Sequence, residues 1–162
     1  DHRDLHLSLR RQRQMCIRDR YTAKRAHEIF QGMDVKIIAV SIFASFDEEG
    51  WTMSPGEREE LEKLGIKVIT TIHALGDDVS EALSMSSPNR IVRETPYRFC
   101  QGMKVAVEVA LMAADAGVLD ISQEIIAIGG TNEGADTAMV LKPAYSRKFK
   151  ELEIKEILAK PR

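Results

Sequence analysis

His73 is the side chain best placed for chemistry. It follows Ile66-Lys67-Val68-Ile69-Thr70-Thr71-Ile72, a β-branched run of the kind that makes a parallel strand buried on both faces. Ligands of open α/β sheets gather just past such strand ends. An imidazole there can donate, accept or carry a proton near neutral pH, and a purely structural hydrogen bond claims it equally well. The second candidate is Gly129-Gly130-Thr131-Asn132-Glu133-Gly134-Ala135-Asp136. Glycines let backbone amides approach an anion, but a phosphate cradle normally opens a helix. This loop leads instead into Thr137-Ala138-Met139-Val140-Leu141 and carries two acids, so a hairpin loop is the favoured reading. No second His or Cys stands at ligand spacing from His73, and a protein-built metal site is not expected. Ser41, Ser45 and Ser54 lack the Gly-x-Ser-x-Gly context of a hydrolase nucleophile. Glu108 and Asp115 fall on a helix that should pack on a sheet, and are expected to be surface or capping residues. No catalytic constellation composes itself from these parts.

The elements that would position them alternate between strand and helix. Residues 21–30 have Ala23, Ala26 and Phe30 at helical spacing, and Gly32 stops them. Val35-Lys36-Ile37-Ile38-Ala39-Val40 is a buried-type strand. Ser54-Pro55-Gly56-Glu57 is a capping box with proline in the first turn, opening a helix that Gly65 ends. The strand before His73 then completes a right-handed βαβ unit. A short helix capped by Asp77 or Asp78 runs to Met85, and Ser87-Pro88 and Thr95-Pro96 predict two further helix starts. Gly102 should separate the second from a helix over 104–116, whose Val105, Val109, Met112 and Ala116 form a core stripe. Residues 124–128 predict a third buried strand, 137–141 its antiparallel neighbour, and 153–159 a final edge strand stopped by Pro161.

Residues 15–20, Met15-Cys16-Ile17-Arg18-Asp19-Arg20, resemble a translated sequencing adapter, the transposon end used to fragment DNA. Such scars are set aside before fold reasoning. The competing reading is a basic arm carrying Arg3, Arg10, Arg11, Arg13, Arg18 and Arg20. The adapter reading makes residues 1–20 an artefactual or disordered tail with few core contacts, and 21–162 one domain incomplete at its start. Without residues 1–20 the 23 basic side chains lose six Arg and become 17, and the 25 acidic ones lose three Asp and become 22, net −5. That balance argues against nucleic-acid binding. Of the two cysteines only Cys100 remains, which excludes an internal disulfide and fits a reducing cytoplasm. No apolar stretch reaches the roughly 20 residues that span a bilayer.

From residue 21 to 162 the chain resembles the stand-alone relatives of the pyruvate kinase C-terminal domain. The resemblance is carried by Thr71-Ile72-His73-Ala74-Leu75, Gln101-Gly102-Met103-Lys104-Val105-Ala106-Val107-Glu108, Met112-Ala113-Ala114-Asp115-Ala116-Gly117, Ile128-Gly129-Gly130-Thr131, Gly134-Ala135-Asp136-Thr137-Ala138 and the last ten residues, 153–162. It implies an α/β class fold, three-layer α/β/α, with a mostly parallel sheet and an antiparallel last core strand. It also implies a first central strand, expected to be missing here, between the strands at 35–40 and 124–128. Pyruvate kinase activity is not implied, because the catalytic barrel is absent.

The implied function is a regulatory or binding domain for a phosphorylated small molecule, with FMN a candidate cofactor. The alternatives are an FMN-dependent oxidoreductase, whose flavin would bring the reaction, and a structural or assembly module, with a homo-oligomer admitted. The implied pocket lies near Ser41, Phe43, His73, Gly129, Gly130 and Thr131. Its phosphate would sit at a helix N-terminus, where the family has Ser/Thr-Gly-x-Thr-Ala and this chain keeps only Tyr21-Thr22-Ala23. The family's His-Ala-Leu-Ser-Gly is here His73-Ala74-Leu75-Gly76-Asp77, which adds an acid beside that pocket.

Overall fold

The computed structural model describes residues 14–131 and 134–162. Six strands form one mixed sheet in the order β3-β2-β1-β4-β5-β6. They are β1 Gln14–Ile17, β2 Lys36–Ile42, β3 Lys67–Thr71, β4 Ile125–Gly129, β5 Thr137–Lys142 and β6 Glu153–Ala159. The first four run parallel, whereas β5 lies antiparallel to β4 and to the edge strand β6. Helices α1 Arg20–Ile29, α2 Pro55–Lys63, α3 Asp78–Ala82, α4 Pro88–Tyr97 and α5 Gln101–Asp115, with short 3-10 helices at Ala44–Phe46 and Ser146–Glu151, complete the described elements. The result is a three-layer α/β/α fold. Among the described residues no helix is long and apolar enough to cross a membrane.

The central strand corrects the expectation for residues 1–20. Gln14–Ile17 is not a tail: it fills the middle of the sheet, with Cys16 opposite Ile38 on one side and Ala127 on the other. Residues 1–13 of that segment lie outside the described residues. Met15, Cys16 and Ile17 are each at most 2% exposed. Their short apolar run satisfies both faces of a position where strands are buried on either side. Met15 and Ile17 join Ala23 and Ala26 of α1 and Leu61 of α2, while Cys16 points the other way, into the core that α5 covers. The period of two along a strand dictates that division.

Local signals explain most helix boundaries. Ser54 Oγ accepts from the Glu57 amide at 3.3 Å while the Glu57 carboxylate accepts from the Ser54 amide at 2.9 Å, the reciprocal capping box. Two proline starts merge into the one helix α4, with Pro96 inside its last turn. Thr95 cannot cap a new helix there, because its hydroxyl donates back to Ile91 O at 2.8 Å. Gly102, expected as a separator, lies inside α5. A Cβ on it would come 2.2 Å from Thr137 Oγ1. The residue is glycine so that the helix start can touch β5.

Burial gives the two thiols different reactivity. The Cys16 thiol is pushed up to about 12 by desolvation, only partly countered by Lys36, whereas Cys100 is half-buried. We expect Ellman's reagent at pH 8 to titrate one thiol in the native chain and two after denaturation. Rapid native reaction of both would remove Cys16 from the sheet centre.

Candidate functional site

In the order β3-β2-β1-β4 the first described strand lies in the middle, and the chain winds outward from it to β3 and then crosses to the other side of β1. The reversal places a topological switch point between β1 and β4, the position at which open α/β sheets bind ligands. Two segments leave the sheet there on adjacent strands, Arg18-Asp19 after β1 and Gly130-Thr131 after β4. Phe43 and His73 leave β2 and β3 at the same edge, their rings edge to face at 5.7 Å. Ser41 is buried one residue before the end of β2, opposite Thr70. Among the described residues its hydroxyl donates to Ile42 O alone, at a long 3.4 Å. Thus Phe43 and His73 are in contact, and Ser41 lies two residues before Phe43, on β2. Gly129, Gly130 and Thr131, at the end of β4, lie two strand spacings from β2, roughly 10 Å, and three from β3, roughly 14 Å, with Arg18 between.

The start of α1 departs from expectation. Asp19 is the N-cap, and its carboxylate accepts from the Thr22 amide at 2.8 Å. The Ala23 amide donates to Asp19 O at 3.1 Å, and Ala23 is fully buried. Both donors expected to hold a phosphate are engaged, and a carboxylate already occupies the positive end of the helix. Arg18 follows a different course. Its guanidinium donates to Val40 O at 3.2 Å and forms no ion pair with any described carboxylate. Desolvation lowers its pKa, while Glu108 and Asp19 act in the opposite sense.

The glycines of the β4–β5 loop are accounted for by packing. A Cβ on Gly129 would lie 2.7 Å from Gly102 O, and one on Gly130 2.0 Å from Gly134 O. They permit close approach of α5 and of the loop's own far side. Asp136 closes the loop: its Oδ2 accepts from the Thr131 amide and hydroxyl at 3.1 and 2.6 Å, and its Oδ1 accepts from Thr137 Oγ1 at 2.6 Å. Burial alone would raise this carboxyl, but the bonds from Thr131 and Thr137 hold it below its ordinary value. The hydrogen bonds explain why an acid stands in this loop.

A buried polar group lies behind His73. Lys104 and Glu108, one turn apart on α5, form an ion pair with side chains only 8% and 4% exposed. The second carboxylate oxygen of Glu108 accepts from the Leu75 amide at 3.1 Å. Glu108 therefore ties the loop after β3, and His73 with it, to α5, which corrects its assignment to the surface. The available signal was the apolar run around it. Met103 to Ala114 is apolar almost all round, so charges within it had to be buried. Asp115 is exposed, the surface position that was one of its two expected roles, and its carboxylate accepts from the Ser146 amide at 3.0 Å and from the Ser146 hydroxyl.

Burial lowers the His73 pKa below 6.5, with Glu108 opposing and Lys104 and Arg18 assisting. A pKa lowered on folding means that the unfolded chain binds the proton more readily. His73 therefore withdraws stability as pH falls from 6.5 towards its folded value, and has no such effect above 6.5. A His73→Gln variant should show a flatter fall in urea midpoint between pH 7 and 5 than the parent, and parallel curves would contradict this.

No family model matches the chain. A further cleft, lined by His27, Phe30, Met33 and Leu64, lies far from the switch point, beside the start of β2. None of the candidate site residues lines it.

Proposed function

We propose that the chain is a binding domain for a phosphorylated small molecule, without chemistry of its own, and a relative of the stand-alone pyruvate kinase C-terminal domains. The ligand would lie across the carboxyl ends of β2, β1 and β4. One observation carries this reading: an arginine without an ion pair among the described residues stands at the switch point of a parallel sheet, between the His73 group and the β4–β5 loop. A guanidinium donates to two phosphate oxygens at once, and costs free energy when desolvated without an acidic partner. FMN and sugar phosphates both carry the required dianion.

The test uses the resemblance directly. Asp19 and Arg20 stand where the related proteins have Ser/Thr-Gly, so Asp19→Ser with Arg20→Gly makes Ser-Gly-Tyr-Thr-Ala before the rest of α1. It removes a carboxylate from the helix start and leaves a neutral hydroxyl, which a phosphate can displace, opposite the Thr22 amide. Calorimetric titration with FMN and with a sugar bisphosphate should then show binding at least tenfold tighter than in the parent. His73→Ala should weaken binding tenfold or less, one hydrogen bond's worth. Unchanged or weaker phosphate binding by the double variant would overturn the reading.

An assembly role has its own support. Ile72, Val79, Leu83, Met85 and Ile91, on and around α3 and α4, are all more than 60% exposed, a cluster of apolar side chains of the kind that marks interaction surfaces. Sedimentation velocity over a hundredfold concentration range tests it, and a constant monomer excludes self-assembly.

A further inference from the structure

We propose that the exposed face of Trp51 seats a planar aromatic ring of the bound molecule; this rests on the reading of the strand ends as a ligand site and adds the ligand's class and orientation. Trp51 is 61% exposed, yet it is not a loose side chain. One face stacks on Phe46, with centroids 5.7 Å apart and planes 10° from parallel. Phe46 and Phe43 pack edge to face at 5.1 Å, and both rest on His73, at 5.4 and 5.7 Å. The loop is fixed by its own bonds: the Trp51 amide donates to Phe46 O, the Gly50 amide to Asp47 O, and Thr52 Oγ1 to the Asp47 carboxylate. A rigid indole held from behind and open in front has the geometry that offset stacking requires.

Charge orients the ligand. Asp47, Glu48 and Glu49 flank this aromatic step, and no Lys or Arg occurs between Ile42 and Glu57. A phosphate would be repelled there, whereas a neutral or cationic ring would not. Arg18, at the end of β1, offers the opposite charge on the His73 side of the sheet edge. The ligand would therefore lie with its ring at Trp51 and its phosphate towards Arg18. A sugar phosphate without a ring fits only half of this arrangement.

Trp51 is the single tryptophan of the chain, so its fluorescence reports the contact directly. The full chain is titrated with AMP and FMN, with ribose 5-phosphate and inorganic phosphate, and with adenosine and riboflavin. Expected is quenching by the ring-bearing compounds only, with AMP or FMN binding roughly tenfold tighter than ribose 5-phosphate by calorimetry. Trp51→Ala should bring AMP and FMN down to the ribose 5-phosphate level, and Trp51→Phe should restore part of the difference. Equal binding of ring-bearing and ring-free phosphates, or a Trp51→Ala variant that binds AMP and FMN undiminished, overturns this inference and leaves the phosphate site standing. Adenosine or riboflavin binding at Trp51 with no contribution from phosphate supports the inference and overturns the phosphate reading. Binding of none of the six overturns both.

Discussion

A chain cut to residues 21–162 should show no cooperative unfolding transition. The cut removes β1 from between β2 and β4, where Met15 and Ile17 are almost wholly buried. Two large apolar side chains at about 1.5–3 kcal/mol each, with Cys16 in addition, give a loss of roughly 4–7 kcal/mol. The Asp19 cap of α1 adds about 1 kcal/mol. Backbone groups of two facing strands lose their partners as well, at about 1–3 kcal/mol for each group left buried and unpaired. A typical domain has only about 5–15 kcal/mol to lose. Urea titration followed by circular dichroism checks this, and a transition at the full-length midpoint would mean that β1 adds nothing to the fold.

The buried pair on α5 gives the second large effect. Lys104→Met leaves the Glu108 carboxylate buried without its ammonium, and Glu108→Gln leaves the ammonium without its carboxylate. Either should cost about 3–5 kcal/mol, because desolvation of the surviving charge is no longer offset. The double variant removes both charges yet keeps a carbonyl oxygen for the Leu75 amide, and should recover most of that loss. Replacing Glu108 with Leu instead would orphan that amide, at about 1–3 kcal/mol. Urea midpoints of the two single variants and the double test the coupling. Additive losses would mean that the two charges are not paired.

Much of this fold was legible from sequence because its signals are local. Ser54-Pro55-Gly56-Glu57 fixes the start of α2 within four residues, and the β-branched runs at β2, β3 and β4 announce strands buried on both faces. The edge strand at 153–159 and the antiparallel return of β5 also followed from pattern. The central strand is hard to see in sequence because Met15-Cys16-Ile17 is only three apolar residues long and also resembles a translated adapter. Three such residues fill a slot between parallel strands whatever their origin, so the nucleotide sequence upstream of Tyr21 decides that origin independently of the fold.

The site was harder to read because its parts are brought together only by topology. His73 and Phe43 could be placed at strand ends, but their contact depends on β2 and β3 being neighbours. The tie from Glu108 to Leu75 spans 33 positions, beyond any local pattern. Helix starts attract anions, so the Thr22 and Ala23 amides suit a phosphate on general grounds, but here a side chain of the protein itself, Asp19, takes that place.

The most direct test of a ligand site at the strand ends is amide chemical-shift mapping of the isotopically labelled chain during titration with FMN. The account predicts that shifted amides cluster at Arg18, Ile42 and Phe43, Trp51, His73 and Gly129 to Thr131. Shifts confined to α3 and α4, or to the cleft at His27, Phe30 and Leu64, would contradict it.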